Sequence, residues 1–146
     1  MAGARSHFAN PASQASSHYG VSLTGEADQY VDLGDRAWAN GILEAGHRWR
    51  DIYSGTWDGW TENPNNWTVS IETEDRNSGE TPVSDEQYGT TLALCRRAMA
   101  RYPSISFLTS HHVISPQSRP FCCGPRWIAS GRMAALAREL ELVLVV

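Results

Sequence analysis

Lysine is absent from this chain, and all twelve of its basic residues are arginine. Set against sixteen acidic residues they leave a formal net charge of -4. That balance argues against nucleic acid, or any partner held by bulk positive charge. Long hydrophobic runs are lacking too. The longest, Leu142-Val143-Leu144-Val145-Val146, is far short of the roughly 20 residues that cross a bilayer. Met1 to Phe8 hold no apolar signal region, so no standard secretion signal is encoded there. Cysteine is scarce: Cys95, Cys122 and Cys123 make an odd count with two adjacent members. A disulfide framework would be even and denser. Two readings stay open, three free thiols or a metal ligand within the adjacent pair.

What is present suits one folded unit. The 146 residues are one domain's worth of chain, and the expectation is a single domain over 1–146, monomeric. Hydrophobic residues make up 41% and charged residues 19%, enough apolar material for a core and too much for a disordered chain. Six Trp, five Tyr and three Phe serve either a core or a carbohydrate-facing cleft.

Periodicity sets out the elements. Tyr19 to Leu23 reads as a strand, Thr24 to Ala27 as a turn and Gln29 to Leu33 as the returning strand. Residues 34–66 are irregular, and Trp49, Trp57, Trp60 and Trp67 fall in or just after them. So long a stretch without periodicity, yet rich in aromatics, points to function rather than disorder. Thr68 to Glu72 alternates as a strand, with Val69 and Ile71 on one face and Ser70 and Glu72 on the other. Ser84-Asp85-Glu86-Gln87 is a capping box. Behind it Tyr88, Leu92, Cys95, Met99 and Tyr102 form one helical stripe, which Pro103 ends. Cys95 is thereby a core thiol. Ile105 to Leu108 is a further short strand, and Trp127 opens a last helix with Ile128, Met133, Leu136 and Leu140 on one face. The order β-β-β-α-β-α makes the fold class α/β: a mixed central β-sheet flanked by helices.

Chemistry concentrates between His111 and Trp127. The segment places imidazoles at a strand end and thiols in the loop beyond. If that loop folds back, imidazole and thiolate converge, a pair that suits Zn2+. The spacing matches no zinc finger, and taken alone it is weak evidence that favours a plain surface His-His pair over a metal site.

The run from His111 to Trp127 resembles the zinc-ligand loop of the type-2 N-acetylmuramoyl-L-alanine amidases, a family that includes phage endolysins and peptidoglycan recognition proteins. Further matches stand in the same order. They are Ser16 to Val21, Gly25 to Val31, Asp35-Arg36-Ala37-Trp38-Ala39-Asn40-Gly41, Trp67 to Glu72 and Ser84 to Tyr88. The similarity runs from about residue 8 to 140. It implies zinc hydrolysis of the amide between N-acetylmuramic acid and L-alanine, with peptidoglycan muropeptide as the partner at the bacterial cell wall. Without a signal peptide, release of the phage type is the favoured route. The register selects His111 over His112, five residues before Pro116, and Cys122 over Cys123, two before Gly124. A swap within either pair stays open. Glu72 is implied as the general base and Arg119 as the oxyanion partner, one place further from the second ligand than the family's basic residue. His18 and Trp38 are implied to border the substrate.

The resemblance also calls for a first strand ending in a zinc-binding His, ahead of Phe8-Ala9-Asn10-Pro11. No apolar strand stands there, and His7 lacks that context. The expectation is therefore an N-terminally truncated chain, short of its first strand and first ligand and impaired in hydrolysis. The alternative is a non-catalytic peptidoglycan-binding or degenerate fragment. A third reading, in which the Trp-rich loop binds another protein, rests on the aromatics alone.

Overall fold

The computed structural model describes residues 6–52, 63–76 and 81–146. It is a mixed α/β fold whose strands fall into two sheets. In the first, β1 (Tyr19–Val21) pairs antiparallel with β2 (Ala27–Gln29) and parallel with β3 (Ile71–Thr73), giving the order β2-β1-β3. In the second, β4 (Phe107–Thr109) pairs parallel with β5 (Val143–Val145). Among the described residues the α-helices that frame the cleft are α1 (Asp85–Arg101), the single turns α2 (His111–Ile114) and α3 (Gly124–Trp127), and α4 (Arg132–Glu139).

The capped helix stands where its sequence puts it. Ser84 Oγ accepts from the Gln87 N–H at 3.0 Å, a contact worth about 1 kcal/mol. The box closes on one side only. Gln87 is buried and turns its amide inward, donating to the carbonyls of Val21 and Glu74. The apolar stripe meets α3 and α4 in one cluster. Leu92 packs with Val83, Trp127, Met133, Leu136 and Leu140, and Tyr88, Cys95 and Met99 lie against them. Burial pushes the Cys95 thiol up to about 11, as a core thiol should behave. Gly25, at φ +81° in the hairpin turn, sits so close to the backbone of Glu86 that a Cβ there would clash.

Several boundaries differ from the sequence reading. The return strand starts two residues early and ends at Gln29, because the N–H groups of Tyr30 and Val31 both turn back to the His18 carbonyl. The third strand, expected over Thr68 to Glu72, starts three residues later and ends one later, at Ile71–Thr73. The last helix does not start at Trp127: it breaks over residues 128–131, where Gly131 takes φ +76°, and Ile128 is left exposed rather than on the core face. The apolar tail is a strand paired with β4, not a loose end. Among the tryptophans, Trp49 is 1% exposed in the core and Trp67 faces solvent. Trp57 and Trp60 lie outside the described residues. No helix among the described residues is long and apolar enough to cross a membrane.

Candidate active site

A cleft of about 380 Å³ opens between the two sheets. Glu72 reaches it from β3, His111 from the start of α2, and Cys122 from the loop that follows. The loop does fold back: the His112 N–H donates to the Cys122 carbonyl at 3.3 Å. Two turns inside it, Arg119 N–H to Ser115 and Cys122 N–H to Arg119, bring residues 115–122 round. The Glu44 carboxylate pins the same loop from the opposite side, accepting from the N–H groups of Gln117 and Ser118 at 2.7 and 2.9 Å. Those bonds, first the Ser118 contacts, hold the Glu44 carboxyl below its ordinary pKa.

The tautomer of His111 follows from its partner. Its Nε2 lies 3.1 Å from the Asn40 carbonyl, and a carbonyl only accepts. Nε2 therefore carries the proton of the neutral ring, which leaves the Nδ1 lone pair free to bind. Burial lowers the imidazole pKa, against the Asn40 carbonyl, and so favours that neutral form. The Cys122 thiol is raised, first by burial and next by the Glu72 charge, while the His111 backbone and Arg119 oppose the rise. Glu72 keeps one side open to the cleft, yet protein crowds it elsewhere. That crowding raises its carboxyl pKa, and the charges of Arg119 and His7 work against it. The field of Arg119 thus reaches Glu72, His111 and Cys122 together. His7, which the sequence left without a role, stands near enough to Glu72 to favour its anion.

The neighbouring residues sort by contact. Cys123 turns its sulfur to Met133, 3.4 Å away, and joins the core cluster. His18 is buried behind the cleft wall: its Nδ1 accepts from the Ser70 N–H and its Nε2 faces the Asp35 carbonyl at 3.2 Å. Both nitrogens are engaged in holding Ser70 and the Asp35 turn. Trp38 is 47% exposed, outside the residues that line the cleft, with the Arg36 guanidinium 4.0 Å from its ring centre.

One residue that the sequence reading missed is Asn65. Its buried Oδ1 accepts from the N–H groups of both Ala39 and Asn40. The Asn40 segment orients His111, so Asn65 holds the holder. The signal was Asn63-Pro64, a turn-opening pair inside the stretch read as irregular. Asn65→Ala should leave two backbone donors without an acceptor and cost about 1–3 kcal/mol, read as a lower urea midpoint.

A family model described as N-acetylmuramoyl-L-alanine amidase matches residues 1–125. The chain belongs to that amidase family. Among its relatives is the protein named 1,6-anhydro-N-acetylmuramyl-L-alanine amidase AmpD of Haemophilus influenzae, 30% identical over 108 residues, 73% of this chain. The chain spans about half the length of that curated relative, 50%. A solved structure titled as a Se-Met AmpD derivative superposes with a TM-score of 0.65 at 28% identity, covering 88% of this chain and 66% of the other. The family carries the mixed α/β class expected from the sequence. It also gives the convergence of Glu72, His111 and Cys122 a chemical context.

Proposed function

We propose that residues 1–146 form a peptidoglycan amidase domain that takes a muropeptide in this cleft and hydrolyses the amide between N-acetylmuramic acid and L-alanine. Its place of action is then the bacterial cell wall or material released from it. The observation that carries this reading is the convergence of Glu72, His111 and Cys122 on one cleft in a chain of the amidase family.

Glu72 is the base of this reading. A carboxylate crowded by protein while exposed on its cleft side, as Glu72 is, has its pKa moved upward from the ordinary carboxylate value, toward the range where proton transfer is most effective. It takes a proton from the attacking water as oxygen adds to the amide carbon, and returns it to the departing nitrogen. Arg119, whose charge is felt across the site, stabilises the negative oxygen that forms.

Zinc is the metal that this donor set suits, an imidazole nitrogen beside a sulfur. His111 through Nδ1 and Cys122 through Sγ would hold it, and zinc when bound would polarise the amide carbonyl. Catalytic zinc takes three protein ligands. Among the described residues no three His, Cys, Asp or Glu side chains are placed so that together they could hold one metal ion. The residues described therefore supply part of a site, and no step is drawn through the metal. This favours a second reading, a non-catalytic chain that binds muropeptide without cleaving it.

Purified muropeptides with ordinary and 1,6-anhydro sugar ends, incubated with the chain and excess zinc, separate these readings. Mass spectrometry should find free stem peptide at a low rate that depends on Glu72, and atomic absorption should find less than one zinc per chain. Muropeptide binding by calorimetry with no cleavage selects the second reading. Neither binding nor cleavage overturns both.

A further inference from the structure

Four sulfur-bearing residues border the cleft: Cys95, Cys122, Cys123 and Met133. The chemistry read for the site uses Cys122 alone. Two of the other sulfurs meet, with the Cys123 Sγ 3.4 Å from the Met133 Sδ, thiol to thioether. Met133 is buried on α4, and Cys123 is half-buried at the N-terminal end of α3. A thiol against a thioether is ordinary packing in a closed core. This pair is not closed in. Both of its residues line the open cleft, and the next residue back, Cys122, lines it too. Metal–sulfur bonds are about 2.3 Å long, so two sulfurs less than about 4.6 Å apart can share one ion. Cys123 and Met133 meet that limit without moving.

The thioether decides which ion suits the place. Zinc draws on thiolate, imidazole and carboxylate. Thiolate joined by thioether selects Cu(I) instead. Leu136 and Trp127 pack with Met133 and line the same side of the cleft, an apolar wall that offers no hard oxygen donor. Cys95 lies against that cluster as well. Its thiol does not converge with the other two, since among the described residues no three His, Cys, Asp or Glu side chains could together hold one ion.

We infer that Cys123, Met133 and Cys122 form a site for one soft monovalent cation, Cu(I), on the helix side of the cleft. Cys123 and Met133 are its fixed pair, and Cys122 supplies the third sulfur from the cleft side. Binding is an exchange of ligands with no redox step. Copper stays Cu(I), each thiol that binds it gives its proton to water, and Met133 Sδ donates a lone pair. Cys122 is shared with the position read for zinc, so Cu(I) held here withdraws that sulfur from it. The site itself does not rest on the amidase reading.

The full chain, reduced and kept free of oxygen, is titrated against Cu(I) supplied as its bicinchoninate complex. It should take one Cu(I) from the chelator, seen as loss of the chelate colour and gain of a sulfur-to-copper band in the ultraviolet. Excess Zn2+ should not reverse the uptake. Cys123→Ser, Met133→Leu and Cys122→Ser should each weaken it by about tenfold or more, the least that even the outer partners of a metal site cost. Leucine keeps the volume of methionine, and circular dichroism checks that each variant folds. Cys95→Ser should bind as the native chain does. Native affinity in Met133→Leu would reduce the site to two adjacent thiols and overturn it. Native affinity in Cys123→Ser or Cys122→Ser, an equal loss in Cys95→Ser, uptake of several ions per chain, displacement by Zn2+, or no uptake at all overturns it as well. None of these readouts involves hydrolysis, so failure here is distinct from failure of the amidase reading.

Discussion

Glu72→Gln is expected to lower amide hydrolysis by this chain about 10²–10⁴-fold, the usual worth of a positioned acid–base group, while raising the melting temperature at neutral pH. The two effects have one cause. Protein crowds the carboxyl and raises its pKa against the pull of Arg119 and His7. The folded chain thus holds this proton more tightly than the unfolded chain does. Between the ordinary carboxylate pKa and the raised one, the native state binds more protons, and stability declines as pH climbs through that window. Above it the full cost of a crowded carboxylate is present. Below the ordinary value both states are protonated, and the cost is gone.

Glutamine keeps the shape and never ionises. Its advantage in thermal melts should be near zero at about pH 3, where carboxyls are protonated, then grow through the acid range and level off above the raised pKa. The pattern separates a base held ready at some expense in stability from a carboxylate tied down by ion pairs. If the Gln variant melts lower than the native chain at neutral pH, Arg119 and His7 outweigh the crowding, and Glu72 is a structural anion.

Much of this was legible in the residues. The run from Ser84 to Arg101 announced itself because cap, stripe and terminator agree on one period. Register alone selects His111 and Cys122 over His112 and Cys123; in the structure His111 is the histidine of its pair that lines the cleft, while both cysteines line it and Cys123 turns its sulfur to Met133. What failed to show was long-range. The tail Val143–Val145 is only an apolar run until its partner is known, and that partner lies 36 residues earlier. Nothing in the run says parallel strand rather than helix end. Asn65 was hidden because a side chain that caps a distant loop leaves no periodic trace. Ile128 was misplaced because periodicity continues through a break that only Gly131, at positive φ, betrays.

A second large effect is expected far from any reacting atom. Arg126→Met should cost about 3 kcal/mol, the range for removing one member of a buried charged network. In a fold stabilised by about 5–15 kcal/mol, that is a large share. The Arg126 side chain is 3% exposed, and it donates to the Gln87 side-chain oxygen and, at 2.5 Å, to the Glu74 carbonyl, with Asp75 3.6 Å away. Gln87 in turn donates to the carbonyls of Val21 and Glu74. One guanidinium and one amide therefore tie α3 to α1, to β1 and to the end of β3, behind the strand that carries Glu72. Methionine fills the stem's space but leaves the Gln87 oxygen buried and unpaired. Lysine would not substitute, since a single ammonium cannot span both acceptors. Urea denaturation of Arg126→Met, of Gln87→Leu and of the double variant supplies a cycle. The double variant should regain part of the loss, because removing both polar partners leaves less unsatisfied than removing one. Strictly additive losses would mean that the pair contributes no coupling, and that the register between helix and sheet is fixed by the apolar cluster alone.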